Sequence, residues 1–128
     1  MKSDSFRAAA ESKDFSAADE LLAPDISFRS PAVYKPYEGR EAVGMILAAV
    51  VQVFEDFRYT DQVETGEVAT LAFSARVGDR ELEGIDLLRF DGDGRISELA
   101  VYVRPLSGLN ALAEAMGRKL EELAATGS

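Results

Sequence analysis

The sequence contains no cysteine and no histidine. Without cysteine there is no disulfide and no thiol nucleophile; without histidine there is no triad that relies on imidazole. The same two absences remove zinc sites of ordinary composition. Positive charge is scarce too. Fourteen Lys and Arg face 23 Asp and Glu, for a formal net charge of −9. No basic patch exists to neutralise phosphates, which argues against nucleic acid and against an anionic membrane surface as partners. The start, MKSDSF, has no apolar signal core, and no run approaches membrane-spanning length, so the expected location is the cytoplasm. Repeats, linkers and low-complexity stretches are missing as well. At 128 residues the expectation is one domain, 1–128, with one core. Any acid–base work falls to Asp, Glu, Tyr, Lys or Arg.

What is present is organised around residues 84–103. Two strand-like runs flank Asp91-Gly92-Asp93-Gly94, a Gly/Asp cluster suited to a tight turn. That cluster lacks the further ligands and closing Glu of a calcium loop, so no metal is expected there. In the first run an acid interrupts apolar residues. Alternation puts Asp86, Leu88 and Phe90 on one face, and Ile85, Leu87 and Arg89 on the other. Arg89 belongs in water, so Asp86 is expected on the covered face. A carboxyl there is costly unless paired, hydrogen-bonded or protonated, and its pKa is expected to rise.

Around this hairpin the pattern predicts helices over Ser3–Ser12 and from Asp14 or Ser16 to Leu22, ended by Pro24. A strand follows over Asp25–Ser30, then a loop to Glu38. The strongest helix runs Gly39–Phe54, with Val43, Ile46, Leu47, Val50, Val51 and Phe54 forming an apolar stripe. Strands are expected at Phe57–Val63 and Glu67–Val77. A last helix is expected from a Ser107 cap to about Leu123, with Leu109, Leu112, Met116, Leu120 and Leu123 inward, and a frayed end over Ala124–Ser128. The fold class is α+β: a cone-shaped, curved, mixed or antiparallel sheet wrapped round a long helix, with N-terminal helices and an extra C-terminal one. Cones of this kind commonly enclose small-molecule pockets.

Phe6-Arg7-Ala8 through Ser30-Pro31, Tyr37-Glu38-Gly39-Arg40, and Ile85-Asp86-Leu87-Leu88-Arg89-Phe90-Asp91 through Gly94-Arg95-Ile96 carry a resemblance. The chain resembles the ketosteroid isomerase and polyketide cyclase (SnoaL-like) branch of the nuclear transport factor 2-like superfamily, to about Pro105. The isomerase chemistry, a worked example of carboxyl tuning, uses one Asp as base and a Tyr plus a protonated Asp as oxyanion donors. The resemblance places the oxyanion Asp on Asp86, the base on Ser30 and the Tyr on Phe6. Ser has no useful basicity near neutral pH and Phe6 offers no donor, so ordinary steroid isomerase activity is not expected. The limonene epoxide hydrolase type resembles the chain less. It has an Arg where Gly84 stands, and a further Asp where the last strand offers Ala100, Val101 and Tyr102.

The expected site therefore has Asp86 as its only candidate catalytic group. Phe6, Phe28, Ser30 and Tyr34 are candidate ligand contacts from the N-terminal third, and Ile46, Leu47 and Val50 from the long helix. Leu71, Phe73, Leu88, Leu99, Val101 and Val103 join them from the sheet. Tyr34 or Tyr37 could supply the missing phenol. Neither cofactor nor metal is expected. Three readings follow: a pocket binding an apolar small molecule, an enzyme of altered chemistry using Asp86 as acid, or an interaction module with a filled cone. Apolar groups on the outward sheet face, Ile85, Leu87, Ala100 and Tyr102, suggest a homodimer, as the resemblance also implies.

Overall fold

The computed structural model describes residues 1–126. Its elements run α1 (Asp4–Ser12), α2 (Ala18–Leu21), β1 (Leu22–Arg29), β2 (Tyr37–Glu38), α3 (Arg40–Val53), β3 (Glu55–Thr65), β4 (Val68–Val77), β5 (Arg80–Phe90), β6 (Ile96–Arg104) and α4 (Leu106–Thr126). One sheet has the order β2-β1-β6-β5-β4-β3, curved and unclosed, with β1 parallel to β6 and all other neighbours antiparallel. This is the expected α+β cone.

Period-two burial makes the inner face. Ala69, Leu71, Phe73 and Ala75 of β4 alternate with half-exposed residues, and Leu82, Asp86, Leu88 and Phe90 of β5 do the same. The helices cover this face. The Tyr37-Glu38-Gly39-Arg40 segment pins α3 to β1. Gly39 donates its N–H to Ile26 O at 2.8 Å from a φ of 96°, a conformation glycine adopts freely. Arg40 Nε donates to Leu22 O at 3.0 Å. The Asp91–Gly94 segment is a turn: the Asp91 carboxylate accepts from Asp93 N and Arg95 N at 2.9 and 3.0 Å. No cluster of metal-ligating side chains occurs among the described residues.

Five local expectations need correction. Leu22 belongs to β1, not to α2, and Pro24 lies within that strand instead of ending the helix. Leu22, Ala23 and Ile26 are fully buried, and strand burial outweighs one more helical turn. Pro24 has no N–H to donate, but it sits exposed at the register shift between Leu22 and Ser27, where the ladder loses nothing. Ala17, without a side-chain cap, precedes α2; Asp14 instead accepts from Ser16 N at 2.9 Å. Helix α4 starts at Leu106, because the Pro105 carbonyl accepts from Leu109 N, so Ser107 lies inside the first turn. Leu123 is 37% exposed, not inward, and the helix continues to Thr126; Gly127 and Ser128 lie outside the described residues. On the outer sheet face Ile85 and Tyr102 are exposed, but Ala100 is buried between its register partners Arg29 and Leu87.

Candidate functional site

Between the inner sheet face and α1, α3 and α4 lies a cavity of about 380 Å³. Sheet, helices and the loop after β1 all contribute wall. Phe6 and Ala10 come from α1, and Ile46, Leu47, Val50 and Val51 from α3. Leu112, Ala113, Met116, Gly117 and Leu120 come from α4. An aromatic cluster forms one side: Phe57 lies edge-on to Tyr59 with ring centroids 4.9 Å apart, and 5.2 Å from Phe73.

Asp86 is 7% exposed and lines this cavity. Its partner is Tyr59, whose hydroxyl donates to Asp86 Oδ2 at 2.8 Å. The sheet register explains the meeting. Tyr59 pairs with Phe73 across β3 and β4, and Gly84 pairs with Phe73 across β4 and β5, so Tyr59 and Asp86 share the inner face two strands apart. The tyrosine reaches over β4 to bridge the gap. The second carboxylate oxygen has no partner among the described residues, and no fully enclosed side-chain polar atom among them lacks one. That oxygen therefore faces the hollow.

Burial lifts the Asp86 pKa from 3.8 to about 7, with the Tyr59 hydrogen bond pulling the other way. Burial, then the adjacent carboxyl, pushes the Tyr59 phenol far above its ordinary value, so it stays a neutral donor. The pair can accept a hydrogen bond from a ligand when Asp86 is ionised. When Asp86 is protonated it can donate one to a carbonyl.

Most of the expected residues line the cavity: Phe6, Phe28, Ser30, Ile46, Leu47, Val50, Phe73 and Val101, with Asp86. Five do not. Tyr34 is fully exposed, and Leu71, Leu88 and Leu99 are packed solid in the core at 0% exposure. Val103 is partly buried against that core, away from the cavity wall. Ser30 Oγ accepts from Ala32 N at 3.1 Å, as a turn residue does. Tyr37 lines the cavity and stacks on Phe28, with centroids 6.2 Å apart.

Tyr59, not Tyr34 or Tyr37, is the phenol beside Asp86, and sequence reasoning passed over it. Its neighbours Arg58, Thr60 and Asp61 hide it in a polar run, and two bulges complicate the alternation. The usable signal was its spacing: two residues after Phe57, on the face that meets Phe73. Phe15, in an expected turn, and Phe54, in the expected core stripe, line the cavity as well; Leu112, Met116 and Leu120 of α4, expected to face inward on a helix that could cross the cavity mouth, face it too.

The family model for the SnoaL-like domain matches residues 4–99. The chain belongs to the SnoaL-like family. It is similar to a steroid delta-isomerase of Pseudomonas aeruginosa, at 49% identity, a TM-score of 0.93, and coverage of 97% of this chain and 92% of that one. A second solved structure is an uncharacterised protein with a cystatin-like fold from Silicibacter pomeroyi. It shows 32% identity, a TM-score of 0.89, and coverage of 94% and 85%. An NTF2-like protein of unknown function from Mesorhizobium loti, 22% identical with a TM-score of 0.74 over 81% and 88%, shares the fold. Among curated proteins none matches. As a SnoaL-like, ketosteroid isomerase-like chain it has a fold that houses small-molecule isomerases and cyclases. Among the described residues no helix is long and apolar enough to cross a membrane.

Proposed function

We propose that this SnoaL-like protein binds an apolar small molecule, of steroid, polyketide or terpenoid type, whose hydroxyl or carbonyl end sits on Asp86 and Tyr59. The observation that carries the reading is an open, carbon-lined cavity onto which the buried Asp86 residue presents one unpartnered carboxyl oxygen. A volume of about 380 Å³ falls within the range of ligand pockets. A filled interaction module would leave neither the space nor the unpaired oxygen. Likeness to a steroid delta-isomerase favours the steroid end of the class.

Ordinary steroid isomerisation is not part of this reading. Asp86 is the sole carboxylate on the cavity wall among the described residues, and the family resemblance assigns the positions of base and phenol to Ser30 and Phe6. Loss of a positioned base removes roughly 10²–10⁴-fold of rate. A second reading, an enzyme such as a cyclase, dehydratase or isomerase of altered chemistry, is favoured by one observation. Asp86 titrates near neutrality beside a neutral donor, which suits a general acid. In either case two copies associate through the outer sheet face, around Ile85 and Tyr102.

The test is a thermal-shift panel of steroids, polyketides and terpenoids, run beside a β,γ-unsaturated ketosteroid conversion assay. A ligand at a hundred times its Kd adds about 2.7 kcal/mol, a shift of several degrees. Asp86→Leu abolishes the shift for the oxygenated compounds. A panel in which nothing shifts the wild type refutes binding, and clear ketosteroid turnover refutes the loss of isomerase activity.

A further inference from the structure

Helix α4 lies wholly beyond residue 99, where the family match ends, yet one of its faces closes the cavity. Two glycines sit in it, Gly108 in the first turn and Gly117 in the interior, where glycine costs about 1 kcal/mol against alanine. Gly108 has a packing reason: a Cβ there would stand 2.7 Å from Leu82 Cβ and 2.8 Å from Glu81 O. Gly117 has none, because a Cβ there would meet nothing within 4 Å. Gly117 lines the cavity and is exposed, as is Ala113 one turn earlier. The same cavity is lined by the buried Asp86, whose unpaired oxygen faces inward. Asp86 thus lies on the buried part of the cavity wall, and Ala113 and Gly117 on an exposed part of it.

We infer that Gly117 is a specificity-determining residue: with Ala113 it frames the cavity mouth, and its missing side chain sets how large a molecule the cavity accepts. This rests on the small-molecule reading above. The helix gives up propensity at Gly117 without any gain in packing, and the space left open is space for a ligand. A bulky side chain there narrows the mouth while leaving Asp86 and Tyr59 untouched.

The experiment compares the wild type with Gly117→Ala and Gly117→Leu. The fluorescent probe N-phenylnaphthylamine is loaded into the cavity, then displaced by estradiol, with four rings, or by naphthol, with two. In Gly117→Leu, estradiol affinity falls about tenfold or more while naphthol stays within about twofold, as expected when one wall loses a few methylene widths of space. Gly117→Ala lies between. Both variants melt at or above the wild-type temperature, since each is a better helix former. Parallel loss of both competitors, loss of neither, or a lowered melting temperature overturns the role of Gly117 alone. A wild type that takes up no probe and binds neither competitor overturns the small-molecule reading with it.

Discussion

Replacing Asp86 by Asn tests the electrostatics of the site without changing its shape. The amide keeps an oxygen to accept from Tyr59 and removes the ionisation. In the folded wild type the carboxyl pKa rises from 3.8 to about 7. Between those values the folded chain holds a proton that the unfolded chain has released, so wild-type stability falls as pH climbs through that window. At about 1.4 kcal/mol per pKa unit the full cost is about 4 kcal/mol, reached above the folded pKa. The remaining acids titrate in both proteins and cancel in the difference. Asp86→Asn should therefore match or fall short of the wild type near pH 4 and exceed it by up to about 4 kcal/mol near pH 8. Urea unfolding followed by circular dichroism gives both curves; the chain has no tryptophan to report by fluorescence. A difference that stays constant from acid to mild base would refute the reasoning, because Asp86 would then ionise as easily folded as unfolded.

Two further perturbations bear on the same architecture. Tyr59→Phe takes away the donor to Asp86 Oδ2 and should cost about 1–3 kcal/mol. The loss is greatest above neutral pH, and the carboxyl pKa, read by carbon NMR, moves further up. Ile85→Glu places a charge beside Tyr102 on the outer sheet face. Sedimentation velocity should show a dimer for the wild type and a monomer for the variant, with thermal stability otherwise retained; the same sedimentation coefficient for both removes that face as the contact.

Much of the fold could be read from periodicity because burial obeys it. The Asp86, Leu88 and Phe90 face of β5 is buried, and the Val43, Leu47 and Val51 stripe of α3 faces the core. What escaped was decided by partners distant in sequence. Bulges between Glu55 and Arg58 and between Tyr59 and Asp61 reset the phase of β3. Phe57 and Tyr59 therefore face the cavity, while Gln62 and Glu64 turn toward α1 and Val63 turns out at 65% exposure. Glu64 then accepts from Ser3 Oγ and N and from Lys2 N, which holds its pKa below the usual range. No local pattern in residues 55–65 announces that contact across the chain. Likewise, the apolar face of α4 reads the same whether it packs on side chains or closes an empty space.

Gly84 carries a consequence for how this scaffold could change over evolution. A Cβ at that position would lie 2.5 Å from both Phe73 Cζ and the Tyr102 carbonyl. The ring of Phe73, the cross-strand partner of Gly84, fills the volume that a side chain at 84 would need. A side chain there cannot arrive by one substitution: Phe73 would have to shrink, thinning the aromatic wall beside Tyr59, and the β6 backbone at Tyr102 would have to shift as well. Position 84 is thus tied to both neighbouring strands, and any change there is epistatic with Phe73 and with the course of the β6 backbone.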